Sequence, residues 1–279
     1  VEDESKIEFF EQYELKSYWK KAFKENSSEK IAKEFEKIGV TGNRIADSVY
    51  HRFLDEHNAI NQLKENLPKE YCFPLGKPSL MQYYVANKIK TEPYFCNFSG
   101  TGAGKTLSGI LASRFIQSRI TLIVCPNDIV TSWEESIKEI FPDSQVLTKK
   151  DIFSVKYNSK KFQYIIVNWE MFQFEQYNND FIKLVKQTID FIVLDEIHFV
   201  KIRGLHISER RKRLEQTIGE IKEKNPSVKI LGMSATPVVN TLSEGKSLLE
   251  LVKGETQNAL STRPTINNAI ALHERLSNI

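Results

Sequence analysis

Cysteine is scarce in this sequence: Cys72, Cys96 and Cys125 are the only three in 279 residues. None belongs to a CxxC pair, which excludes a zinc ribbon and a disulfide-stapled scaffold. Two of them lie in strand-like apolar runs, the pattern of buried free thiols in a reducing, intracellular compartment. No apolar run approaches the ~20 residues that a membrane helix needs. The chain opens on Val followed by acidic residues, so no signal peptide is visible. A start without Met and a stop at Ile279 inside a helix-like pattern give the expectation of an excised piece of a longer protein. Charge of one sign is also lacking: 39 Lys and Arg against 36 Asp and Glu leave +3. A balance this even neither demands nor excludes nucleic acid, so the distribution of charge matters more than its total. Internal repeats and low-complexity tracts are missing too. What is present is 41 % apolar residues, enough to expect a packed core.

Residues 1–70 read as helices without strand candidates. Asn26-Ser27-Ser28-Glu29 is a capping start, followed by Ile31, Phe35 and Ile38 on one face and Gly39 as a stop. Ile45, Val49 and Phe53 mark a second helix, ending before Pro68. From about residue 93 the texture changes. Apolar strands are predicted at Tyr94–Phe98, Ile120–Cys125, Phe162–Val167, Phe191–Leu194 and Lys229–Met233. Helices are predicted at Leu107–Ser118, at Asp128–Phe141 and near Phe181–Val185. Such alternation predicts an α/β fold, a parallel sheet with helices on both faces, preceded by a small all-helical subdomain. Ligands of such sheets bind beyond the carboxyl ends of the strands.

Ser99-Gly100-Thr101-Gly102-Ala103-Gly104-Lys105-Thr106 lies between a predicted strand and a predicted helix. The glycines let the backbone turn and aim its N–H groups inward, where the positive end of the following helix adds to their pull on polyphosphate. Lys105 is expected to reach the β- and γ-phosphates, and the Thr106 hydroxyl to ligate Mg²⁺. The first position of this eight-residue Walker A pattern is usually Gly or Ala; here it is Ser99, a small residue that the turn tolerates. Phe191–His198 is an apolar strand ending in Asp195, Glu196, Ile197 and His198. Asp195 suits the water shell of Mg²⁺, an ion that keeps its waters and takes few carboxylates. Glu196 suits orienting and deprotonating an attacking water. His198 suits sensing the γ-phosphate or coupling to the motif after the next strand, Ser234-Ala235-Thr236. Taken singly, the loop reads as a glycine-rich helix cap and the acidic pair as a solvated turn; their combination and order carry the inference.

Phosphate loop, Asp-Glu-Ile-His box and Ser-Ala-Thr motif, in this order, resemble the first RecA-like domain of superfamily-two helicases, with the box departing from the usual DEAH. Leu122–Pro126 followed by Trp133-Glu134-Glu135, the run Val167–Met171, and Pro237–Asn240 followed by Leu242 and Glu244 resemble the Swi/Snf-type ATPases. Pro78-Ser79-Leu80-Met81-Gln82 resembles the segment whose glutamine reads adenine in these enzymes. The resemblance spans residues 78 to about 252. It implies an ATP- and Mg²⁺-dependent motor, with duplex DNA as the partner. It implies nucleic-acid contacts near Pro126, Asn127, Asn168, Trp169, Lys201 and Arg203, made to the phosphate backbone and without reading sequence. Arg210, Arg211, Lys212 and Arg213 extend that basic stretch or form a solvated helix face. Trp133 and Trp169 read first as packing residues. The resemblance also implies a second RecA-like domain supplying arginines to the phosphoryl group, for which too few residues follow Thr236. The expected division is therefore a helical subdomain at 1–70, an ATP-binding domain at 71–255, and an extension at 256–279 toward that second domain.

Three alternatives stand beside this reading: a helicase subunit of a restriction or defence system, an RNA helicase, and a nucleotide-gated binding module without turnover. His51, His57, His206 and His273 show no metal-ligand spacing, and Phe172, Phe174 and Tyr177 read as sheet cover.

Overall fold

The computed structural model describes residues 15–72, 74, 76–148, 161–173, 188–200, 208–237 and 241–277. Its centre is a sheet of six parallel strands: β1 (Tyr94–Asn97), β2 (Ile120–Cys125), β3 (Gln145–Thr148), β4 (Gln163–Asn168), β5 (Phe191–Asp195) and β6 (Lys229–Met233). Their order is β1-β6-β5-β2-β4-β3. The apolar runs of β2, β4 and β5 are buried on both faces because alternate side chains enter separate cores. Ile123, Ile166 and Val193 face one core; Leu122, Ile165 and Ile192 face the other. The predicted strands agree with those observed to within a residue. The strand not predicted is β3. It lies at a sheet edge and buries only Leu147, so its sequence lacks a continuous apolar run.

Helices α1 (Leu15–Glu25), α2 (Glu29–Ile38), α3 (Arg44–Glu65), α4 (Leu80–Thr91), α5 (Lys105–Phe115) and α6 (Val130–Ile140) enclose the first core. Helices α7 (Glu209–Lys224), α8 (Leu242–Lys253) and α9 (Ile266–Ser277) enclose the second. The N-terminal helices share their core with the sheet. Trp19 stacks on Phe53 and packs on Tyr84 of α4, both with ring centroids 4.8 Å away. The buried Glu56 carboxylate accepts from Trp19 Nε1 at 2.7 Å and pairs with Lys88 of α4. A buried charge retained in this way needs both partners, since removing one leaves the other desolvated.

Two local expectations are revised. Ser28 stands at the N-cap of α2 but makes no capping bond; its Oγ meets His57 Nδ1 at 2.7 Å instead. In α3, Phe53 is buried while Ile45 is exposed. Steps of four residues drift by about 40° each on a helix of 3.6 residues per turn, so the two do not share a face. The helix expected near Phe181–Val185 lies outside the described residues.

The parallel register brings five motif-bearing strand ends to one edge of the sheet. Along that edge stand the phosphate loop after β1, Ser234 after β6, the acidic box after β5, Pro126 after β2 and Trp169 after β4.

Candidate functional site

The loop leaves β1 and enters α5 with Gly102 at φ +75° and Gly104 at φ +73°, a region where L side chains are strained. Asn97, the last residue of β1, starts the turn by accepting from Ser99 N at 3.1 Å. Gly100, Thr101 and Gly102 are exposed or nearly so, and Ala103 and Gly104 half-buried. The Lys105 ammonium lies over the loop, donating to the carbonyls of Ser99 at 3.2 Å and Gly100 at 3.0 Å. Thr106 occupies the first turn of α5. Gln82 closes the loop from below. Its Oε1 accepts from Ser79 N at 2.7 Å, completing a capping box, while its Nε2 donates to Gly104 O at 3.4 Å. Each end of the amide keeps one further hydrogen-bonding position for a base.

Asp195 ends β5 and is only 5 % exposed. Its Oδ2 accepts from Trp133 Nε1 at 2.9 Å and its Oδ1 from Glu196 N at 2.9 Å. Its backbone carbonyl accepts from Trp169 Nε1 at 3.0 Å. Burial pushes its carboxyl up to about 6, and the neighbouring Glu196 adds to that rise. The Trp133 and Glu196 hydrogen bonds and the Lys105 charge oppose it. Glu196 adopts φ +50°, a left-handed conformation that costs a non-glycine residue roughly 1–2 kcal/mol. The turn swings its carboxylate toward β6. There Oε2 lies 3.0 Å from His198 Nδ1 and 3.3 Å from Ser234 Oγ, and those two atoms are 3.0 Å apart. Ser234 Oγ also accepts from Thr236 N at 3.1 Å, so the box and the Ser-Ala-Thr motif form one hydrogen-bonded unit. Ala235 is half-buried between them.

The residues present fit a nucleoside triphosphate and Mg²⁺ on two observations. Left-handed glycines and the start of α5 surround the Lys105 ammonium, the geometry that favours phosphate. Lys105 is close enough to Asp195 for its charge to act on that carboxyl. The oxygen donors Thr106 and Asp195 are hard ligands of the type Mg²⁺ takes when phosphates and waters complete its shell. Among the described residues no cluster of three His, Cys, Asp or Glu side chains forms a separate metal site.

On the far side of the box, Asn168 Nδ2 donates to Asn127 Oδ1 at 2.7 Å, joining the ends of β4 and β2. Asn127 is exposed and Pro126 buried. Trp169 takes the packing role read first for it, not the nucleic-acid contact that the resemblance implied: at 0 % exposure its indole sits in the second core. Lys201 and Arg203 lie outside the described residues, as do Val238, Val239, Asn240, Phe174, Tyr177 and His206. In the basic run, Arg211 is 1 % exposed and bonds Glu215 Oε1 at 2.5 Å, Val200 O at 3.2 Å and Ser247 O at 2.8 Å. It clamps α7 to α8 and to the turn after the box, and so leaves the candidate phosphate-contacting set. Sequence reasoning missed the bond from Trp133 to Asp195; the signal for it was Gly109, a glycine in mid-helix facing that tryptophan.

A family model described as "Type III restriction enzyme, res subunit" matches residues 55–239, well over half of the chain. No curated protein matches. Among solved structures, the Sulfolobus solfataricus SWI2/SNF2 ATPase core in complex with dsDNA is similar, with a TM-score of 0.56 and 15 % identity. The similarity covers 76 % of this chain and 45 % of that one, so this chain spans less than half of its neighbour. At such identity the likeness shows the fold alone, a RecA-like parallel sheet. It is the family match over residues 55–239, taken with that fold, that makes this a helicase-like first RecA-like domain.

Proposed function

We propose that this chain, which belongs to the family of type III restriction enzyme res subunits, is a helicase-like ATPase motor domain that couples ATP hydrolysis to movement on duplex DNA. The observation that carries this reading is the contact of Glu196 with His198 and Ser234, made at the same sheet edge as the Lys105 loop. A general base held by two motifs can be displaced when either motif moves, which is what coupling hydrolysis to motion requires.

In this reading the N–H groups of Gly100, Thr101, Gly102, Ala103 and Gly104 bind phosphate oxygens. Lys105 neutralises the β- and γ-phosphates, and Gln82 reads the base while bracing Gly104. Thr106 and Asp195 hold Mg²⁺, which when bound draws charge from the phosphate oxygens. Glu196 orients the attacking water and accepts its proton. His198, Ser234, Ala235 and Thr236 couple the site to domain closure. Asn127 and Asn168, joined at the ends of β2 and β4, contact the DNA backbone, and Pro126, Lys201 and Arg203 belong to the same proposed set of contacts. Within the proposed helical subdomain at 1–70, helices α1 and α3 brace the Gln82 helix, Trp19 packing on Tyr84 and Glu56 pairing with Lys88. Residues 71–255 form the ATP-binding domain, and 256–279 lead toward a second RecA-like domain. The solved neighbour is held in a complex with dsDNA, which supports duplex DNA as partner. A restriction-type motor is the second reading, favoured over a Swi/Snf-type one by the family match.

The test is calorimetric titration of ATP·Mg²⁺, with Lys105→Ala alongside, then hydrolysis by the full-length protein with and without duplex DNA. Binding lost in the variant and hydrolysis stimulated by duplex DNA are expected. Stimulation by RNA alone, or binding without turnover, overturns the reading.

A further inference from the structure

We propose that Trp133 is a positioning residue for the Asp195 carboxylate, and through it for the divalent cation that Asp195 would hold. This rests on the nucleotide-site reading above. Trp133 is 1 % exposed, and its Nε1 donates to Asp195 Oδ2 at 2.9 Å. Glu196 N takes the other oxygen at 2.9 Å. A carboxylate held by one donor can swing about its terminal torsion; one held on both oxygens cannot. Each oxygen still keeps a lone pair for the hydration shell of a cation. The indole thus fixes the direction of those lone pairs, as outer-shell donors do at metal sites.

A second observation points the same way. Gly109 lies in the interior of α5, where glycine weakens a helix. A Cβ at that position would stand 3.2 Å from Trp133 Cη2 and 3.5 Å from Val193 Cγ1. The missing side chain makes the slot through which the indole reaches the end of β5. Three elements therefore meet at one ring: α5, which carries Lys105 and Thr106; α6, which carries Trp133; and β5, which ends in Asp195. An indole buried for packing alone needs a partner for its N–H, and a backbone carbonyl would serve. Here the partner is the carboxylate that ends β5 beside the phosphate loop.

The experiment measures ATP affinity by calorimetry across a Mg²⁺ series and in EDTA, for the wild-type chain, Trp133→Phe, Gly109→Ala and Asp195→Asn. Trp133→Phe keeps a ring and loses the N–H. It is expected to raise the Mg²⁺ concentration at half-maximal effect about tenfold, at the lower end of outer-shell effects, with affinity in EDTA unchanged. Gly109→Ala keeps the N–H and displaces the ring, so the same shift is expected, smaller; it carries the test should Trp133→Phe not fold. A folded Trp133→Phe with wild-type Mg²⁺ dependence overturns the proposal. So does an equal loss of affinity with and without Mg²⁺, which marks a packing residue. Asp195→Asn without effect on the Mg²⁺ series overturns the site reading itself, a distinguishable failure.

Discussion

Gln82 donates its side-chain amide to the carbonyl of Gly104 and lies so near that a Cβ there would collide with Nε2. The glycine is also at φ +73°. Gly104→Ala therefore meets backbone strain and a clash with a buried side chain. ATP affinity is expected to fall at least tenfold, with a small drop in melting temperature, since the strain itself amounts to roughly 1–2 kcal/mol. Calorimetry and a thermal melt check this; wild-type affinity would refute it.

Gln82 serves both the loop and, by our reading, the base. Gln82→Ala is expected to weaken ATP severalfold more than GTP. Competition binding with the two nucleotides decides; equal losses would leave only the bracing of Gly104.

In the proposed function Glu196 serves chemistry rather than nucleotide binding. Glu196→Gln is expected to preserve ATP affinity and to lower DNA-stimulated hydrolysis about 10²–10⁴-fold, the usual contribution of a general base. Ser234→Ala removes a bond to Glu196 Oε2 and to Thr236 N, leaving basal hydrolysis nearer to wild type than DNA-stimulated hydrolysis. Steady-state rates with and without duplex DNA report both.

Arg211→Ala strips the carbonyls of Val200 and Ser247 of their donor and opens a buried gap between α7 and α8. A loss of about 2–3 kcal/mol in unfolding free energy is expected, from two buried carbonyls left without a donor and the cavity left by the side chain. Urea denaturation measures it. The folded variant should bind DNA with an unchanged salt slope, because a buried guanidinium releases no counterions.

His57 supplies the pH dependence. Asn61 Nδ2 donates to its Nε2 at 3.1 Å and Lys64 donates to Asn61 Oδ1 at 3.1 Å, so the ring is neutral with its proton on Nδ1, toward Ser28. Burial lowers its pKa from the ordinary 6.5, Lys64 adding to the fall and Glu29 and Glu36 opposing it. The unfolded chain then takes up the proton first. The contribution is whole above about pH 6.5 and is lost as the pH falls toward the folded value. His57→Gln is expected to flatten the fall in melting temperature between neutral and mildly acid pH relative to wild type.

How much of this was legible in the sequence varies with the range of the interaction involved. The phosphate loop is a local object: its glycines, lysine and flanking strand and helix are contiguous, so residues 99–106 announce their geometry. The central strands announce themselves because burial on both faces demands unbroken apolar runs. What stayed hidden was settled between distant segments. Arg211 resembles its basic neighbours until Val200 and Ser247 enclose it. Trp169 stands in a motif that the resemblance placed by the nucleic acid, while its ring read first as packing; its place in the second core decides between the two. Ser28 has the residue type of a helix cap, yet a histidine from α3 claimed its hydroxyl.

The strand order carries a consequence for how the site is assembled. β1, which launches the phosphate loop, sits at the sheet's edge and pairs with β6, the last of the six strands in the sequence. Pairing across so long a stretch of chain is slow, because the intervening loop must close before any ladder bond forms. The loop can be synthesised early, but its launching strand gains a hydrogen-bonded neighbour only when residues 229–233 dock between it and β5. If the loop binds nucleotide as proposed, a nascent chain that has not yet delivered β6 would hold residues 99–106 behind a strand without its ladder partner, and competence to bind ATP would follow closure of the sheet.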